Sequence, residues 1–105
     1  MSLDKLKQNI IEILEDLKSK DIVILNTKLN TFLFDEMIIV TSSSDRHGRA
    51  IASNLYKIKG KLDKHIKIEG IENGDWIIVD LEDIVIHIMQ REYRDLYDLE
   101  SLWTK

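Results

Sequence analysis

Apolar residues recur along the chain with two periods, and the switches between them divide it into elements. Leu3, Leu6, Ile10, Ile13, Leu14 and Leu17 fall at the i, i+3, i+4, i+7 spacing of one buried stripe, which predicts an amphipathic helix over residues 3 to 18. Ser2 is a good N-cap for it, and Asp4 sits in the first turn, where the helix dipole favours an acid. Ser19-Lys20-Asp21 ends that pattern, and Ile22 to Leu25 is an apolar run of strand length. Residues 26 to 36 read as a connection, with turn chemistry from Asn26, Asn30 and Asp35, and Met37 to Thr41 as a second buried strand. The polar loop Thr41-Ser42-Ser43-Ser44-Asp45 leads into a helix over about Arg46 to Lys59. Ala50, Ile51, Leu55 and Ile58 mark its inner face, Ser44 or Asp45 its N-cap and Gly60 its C-terminal stop. His65 to Glu69 alternates and predicts a half-exposed or edge strand. Trp76 to Leu81 and Ile84 to Met89 are apolar at nearly every position, as in strands buried on both faces, and form a hairpin. Glu82 and Asp83 lie between them. Neither suits a tight primed turn, so a longer or irregular turn that borrows flanking residues is expected. Tyr93, Leu96, Tyr97, Leu99, Leu102 and Trp103 then form the apolar side of one closing helix. The order is helix, two strands, helix, three strands, helix. It predicts a single α/β domain over residues 1 to 105, a mixed β-sheet flanked by helices, with no repeat or linker.

Composition narrows the function more than the fold. A chain of 105 residues supports one core, and 44% hydrophobic with 32% charged residues is a globular balance. The net charge of -4 argues against broad contact with a nucleic-acid backbone. With no cysteine, disulfides and thiolate zinc sites are excluded. No apolar run approaches the roughly 18 residues of a membrane span, and the amphipathic N-terminal segment lacks a signal-peptide core. The expectation is a soluble cytoplasmic protein.

The charge is not evenly spread. From Ile68 to Gln90 there are six acidic residues (Glu69, Glu72, Asp75, Asp80, Glu82, Asp83) and no Lys or Arg. An aromatic, Trp76, begins the first hairpin strand within this stretch. An apolar anchor with a one-sign acidic rim predicts a docking surface for a basic protein. His87 is expected to hydrogen-bond across the hairpin, with Asp80 as one candidate acceptor; such a bond would raise its pKa and make partner binding sensitive to pH. His47, in the first turn of its helix, is expected to bond back to the serine loop. Phe32, Leu33 and Phe34 either pin their loop to the core or form an exposed patch for a partner or for self-association. That patch and the alternating edge strand make a homodimer an expectation. Lys57, Lys59, Lys61, Lys64 and Lys67 read as a solvated cluster. They have no aromatics beside them to stack on bases, so no direct nucleic-acid substrate is expected. The serine loop could seat a phosphate at a helix N-terminus, but it has no glycine for close approach, and capping accounts for it.

Several motifs match a known family in order and spacing. They are Lys20-Asp21-Ile22, Thr41-Ser42-Ser43-Ser44-Asp45-Arg46-His47, Glu69-Gly70, Asp75-Trp76-Ile77-Ile78-Val79-Asp80-Leu81, Asp83-Ile84-Val85-Ile86-His87-Ile88-Met89-Gln90, and the run from Arg94 to Trp103. Along nearly its whole length the chain resembles the ribosomal silencing factors of the RsfS/Iojap family. It departs from the family pattern at Glu82 and Ser42, where the family usually has Gly, and at Phe34-Asp35-Glu36. The resemblance implies an α/β fold similar to that of nucleotidyltransferases, without known catalysis and without cofactor or metal. It implies binding to the large ribosomal subunit through its protein numbered fourteen, at the face where the small subunit docks, so that joining is blocked and translation repressed. It places Trp76, Asp80 and Leu81 in the binding surface. Glu69, Asp83, His87 and Met89 are the further candidates beside them. The alternative implied by the fold is a metal-dependent nucleotidyltransferase-like enzyme or nucleotide binder. Its nearest carboxylates, Asp80 and Asp83, are separated by a turn, and His47 and His87 lack a nucleophile at motif spacing.

Overall fold

Ser2 caps the first helix as its sequence requires: its hydroxyl accepts from the Lys5 N–H at 3.2 Å. The computed structural model describes residues 2–58 and 65–103. Helix α1 (Leu3–Asp16) buries Leu6, Ile10 and Leu14. Strand β1 (Lys20–Asn26) and strand β2 (Glu36–Ser42) follow, and then α2 (Asp45–Tyr56), which buries Gly48, Ile51, Ala52 and Leu55. Ser44 is the N-cap of α2, with its hydroxyl 3.0 Å from the His47 N–H. The chain continues through β3 (Lys67–Glu69), β4 (Trp76–Asp80), β5 (Ile84–Gln90), α3 (Arg91–Tyr97) and α4 (Leu99–Trp103).

The sheet order is β1-β2-β5-β4-β3. β2 and β5 run parallel at its centre, and the other neighbours are antiparallel. The hairpin of β4 and β5 therefore lies within the sheet, as its apolar runs predict, and β3 lies on an edge. The two faces are covered unequally. Ile38, Val40, Ile77, Val79, Ile84, Ile86 and Ile88 face α1 and α2 and form one core with Leu6, Ile10, Leu14, Ile51 and Leu55. On the opposite face a smaller cluster of Met37, Ile39 and Met89 lies under Phe34, Trp76, Tyr93, Leu99 and Trp103. The short helices α3 and α4 shelter only part of that face.

Three expectations change in detail. β4 is not buried on both faces: Ile77 and Val79 are buried, whereas Trp76, Ile78 and Asp80 are half-buried, because among the described residues the second face is only partly covered there. The closing helix is two helices. Asp98 takes a left-handed conformation (φ 44°), which ends α3 before α4 begins. Helix α2 stops at Tyr56; Lys59, Gly60, Lys61 and Lys64, part of the expected helix end and lysine cluster, lie outside the described residues. The hairpin turn is irregular, as expected. Leu81 N–H bonds to the Ile84 carbonyl, the Asp80 carboxylate accepts from the Glu82 N–H at 2.8 Å, and Glu82 is left-handed at φ 72°.

The buried guanidinium of Arg94 docks α3 onto the sheet. It donates to the Asp21 carbonyl at 2.6 Å, to the Thr41 hydroxyl at 2.9 Å and to the Glu100 carboxylate at 3.2 Å. One side chain thus joins β1, β2, α3 and α4.

A candidate partner-binding surface

The antiparallel register of the hairpin sets Ile78 opposite His87 and Asp80 opposite Val85. All four side chains point to the face that α1 and α2 do not cover, since residues two apart in a strand share a face. Leu33 and Phe34 from the loop between β1 and β2, with Glu82 and Asp83 from the hairpin turn, wall the same ground. Together they line a shallow, open concavity of about 650 Å³. Its floor is apolar and its rim carries three carboxylates.

Trp76 stands half-buried beside this concavity. Its indole N–H donates to Nδ1 of His87 at 3.0 Å, and the ring packs against Tyr97 with centroids 4.8 Å apart. The bond fixes the indole and requires Nδ1 of His87 to be unprotonated. Burial disfavours the charged imidazolium and lowers the His87 pKa from 6.5 to about 4. The expected bond from His87 to Asp80, with a raised pKa, is not formed: His87 accepts from the indole and Asp80 from the Glu82 backbone. Nearby, a hydrogen bond to Asp75 raises the Tyr93 phenol pKa.

Of the residues singled out in the sequence, the structure brings Trp76, Asp80, Asp83 and His87 together around one surface. Glu69 pairs with Ile78 across β3 and β4, so it lies exposed on the same face. Leu81 and Met89 do not offer surface. Leu81 shares the parity of Ile77 and Val79 and is fully buried in the core under α1 and α2. Met89 has the right parity but is fully buried in the cluster that includes Tyr93, Leu99 and Trp103. Leu81, expected in the binding surface, is thus corrected to a core residue, and Ile78 is the apolar residue that lines the concavity. Ile78 and Val85 were legible in principle, because each lies two residues from a candidate on its strand. The Phe32 to Phe34 segment divides between its two readings: Phe34 packs on Trp103 with centroids 5.4 Å apart, while Phe32 and Leu33 are exposed.

The serine loop is engaged by the chain's own side chains. Ser43 N–H donates to Nδ1 of His47 at 2.9 Å, Nε2 of the same ring donates to the Leu17 carbonyl at 2.6 Å, and the Asp45 carboxylate accepts from the Arg46 N–H. His47 thereby ties the start of α2 to the end of α1, beyond the expected bond to the loop. Among the described residues, no cluster of three or more His, Asp or Glu side chains could hold a metal, and no helix is long and apolar enough to cross a membrane.

Comparison with known proteins places this geometry in a family. The family model described as "Ribosomal silencing factor during starvation" matches residues 1–105. A ribosomal silencing factor from Chromobacterium violaceum is 40% identical over 104 residues, covering 98% of this chain and 85% of that protein. A mouse protein named for mitochondrial assembly of the ribosomal large subunit is 33% identical over 99 residues, covering 90% of this chain and 43% of its own length. A crystal structure of a Chromobacterium violaceum protein superposes with a TM-score of 0.91 at 41% identity, covering 98% of this chain and 87% of that one. One from Bacillus halodurans has a TM-score of 0.83 at 32% identity, covering 95% and 94%. Matched from end to end in sequence and closely in structure, the chain belongs to the RsfS family of ribosomal silencing factors.

Proposed function

We propose that this protein silences translation by binding the large ribosomal subunit through its protein numbered fourteen and sterically blocking the small subunit from joining. Membership of the silencing-factor family supports a ribosome-associated role, and the name of the mouse relative supports a large-subunit partner. The observation that carries the reading is the surface around Trp76. A fixed, half-buried indole adjoins an apolar floor at Ile78 and Val85, and Asp80, Glu82 and Asp83 border it. Desolvated aromatics supply much of the binding energy of such interfaces, and a one-sign rim steers and orients a partner of opposite charge. A basic ribosomal protein has that charge. No step of this function breaks or makes a covalent bond in the proposal; the protein acts by occupying the joining face.

The test uses two variants. Trp76→Ala is expected to weaken binding to purified large subunits by about 2 kcal/mol, roughly thirtyfold. Asp80→Lys is expected to cost at least as much, because it sets a cation against a basic partner. Wild-type protein should sediment with large subunits and reduce the yield of joined ribosomes, and both variants should lose these effects. Binding of both variants at wild-type strength would overturn the site assignment. Loss of binding together with a collapse in Tm would mean that these residues serve the fold alone.

A further inference from the structure

The loop between β1 and β2 places apolar side chains in water without being loose. Leu29 and Phe32 are fully exposed and Leu33 is 82% exposed. Its backbone is nonetheless pinned. Thr27 is fully buried; its N–H donates to the Asp35 carbonyl, its hydroxyl to the Phe34 carbonyl, and its own carbonyl accepts from the N–H groups of Asn30 and Thr31. The Leu33 N–H is taken by the Thr31 hydroxyl at 3.1 Å. At the far end of the loop, the N–H groups of Asp35 and Glu36 both donate to the carbonyl of Asp83, in the acidic turn of the hairpin. Phe34 holds the loop down on Trp103. The loop is therefore built on the same frame as the acidic concavity, and Leu33 belongs to both.

We infer that this loop is a preorganised apolar prong that enters an apolar hollow on the same basic protein that the acidic concavity faces. The inference rests on the proposed function and adds a second, uncharged contact to it. Ordered apolar side chains exposed together mark interaction sites, and a loop already fixed in shape loses little entropy when it binds. Charge selects the occupant. Asp80, Glu82 and Asp83 border the prong through Leu33 and the Asp83 carbonyl. A second copy of this chain, with a net charge of -4, would bring the same carboxylates against them. An anionic membrane surface would be repelled by them, with Lys28 the one cation in the segment from 27 to 35.

The experiment compares the double variant Leu29→Ser/Phe32→Ser with Asp80→Lys in titrations against purified large ribosomal subunits at low and moderate salt. Both substituted side chains are fully exposed, so Tm should match wild type. The prong variant is expected to bind about tenfold more weakly with the salt dependence of wild type, since the lost contact is uncharged. Asp80→Lys should weaken binding and flatten the salt dependence. If the prong variant binds like wild type while Asp80→Lys fails, the prong is overturned and the proposed function stands. If both bind like wild type, the assignment of the acidic surface fails with it, while binding to the large subunit stands. Light scattering supplies a further arm: a wild-type dimer that the double substitution makes monomeric, with subunit affinity unchanged, would assign the prong to a second copy and overturn the inference.

Discussion

Trp76 and His87 form one unit, and the histidine gives it a pH dependence. The folded protein holds His87 at a pKa of about 4, against 6.5 for the free side chain. As pH falls through 6.5 the unfolded chain takes up the proton first, so stability drains away between pH 6.5 and 4. Above 6.5 both states carry a neutral ring and the difference vanishes. The full effect is about 3 kcal/mol. Urea unfolding of the wild type and of His87→Asn should give stabilities whose difference is flat above pH 6.5 and shifts by about that amount against the wild type towards pH 4. A constant difference across that range would show that the ring titrates alike in both states. The sequence already marked Trp76, Asp80 and His87, but it could not pair them. Asp80 and Trp76 both flank His87 across the hairpin, and which one it meets depends on the turn, where Glu82 claims the carboxylate. Once Asp80 is taken, the indole is left as donor, no carboxylate offsets the burial of the ring, and burial lowers the pKa.

Element boundaries were legible wherever period and cap agreed. Ser2 and Ser44 start their helices where expected, and the hairpin strands lie within a residue of their predicted ends. The break at Asp98 was not legible, because Leu96, Tyr97, Leu99 and Trp103 keep a helical spacing across it and no Gly or Pro marks it. The hairpin turn carries a local backbone cost. Glu82 occupies a left-handed conformation that disfavours a side chain by roughly 1–2 kcal/mol, part of which glycine would give back through its freer unfolded state. Glu82→Gly should therefore raise stability by about 0.5–1 kcal/mol, read as a higher urea midpoint at unchanged m-value. Arg94 works in the opposite direction. Replacing it with Met leaves the Asp21 carbonyl and the Thr41 hydroxyl without this donor, and stability should fall by about 3 kcal/mol. Near-UV circular dichroism should change at the same time, as α3 loosens and Tyr97 leaves Trp76.

At the scale of the whole molecule, the sheet has one sealed face and one partly open face, and the proposed binding surface lies on the open one. α1 and α2 seal the first, whereas α3 and α4 leave the hairpin open on the second. Adjacent residues on one strand should therefore fail differently. Ile77→Ala opens a cavity in the sealed core and should cost about 2–5 kcal/mol of stability. Ile78→Ala should cost less in thermal denaturation but weaken binding to large subunits, since its side chain floors the concavity. The alternating burial of β4 follows from this asymmetry. From the sequence its apolar run resembled a strand buried on both sides, because a half-covered face can carry the same residue types as a core face.

The central pair of the sheet joins segments far apart in the chain. β2 finds its inner neighbour only in β5, with Glu36 aligned to Ile84, 48 residues later. A pairing across so long a loop must close it before any ladder bond is gained, which slows folding relative to a chain of local hairpins. During synthesis, α1, β1, β2 and α2 emerge first, yet β2 keeps a bare inner edge until residue 90 is free to dock. The sheet, and with it the proposed binding surface, is complete only once synthesis has passed Gln90.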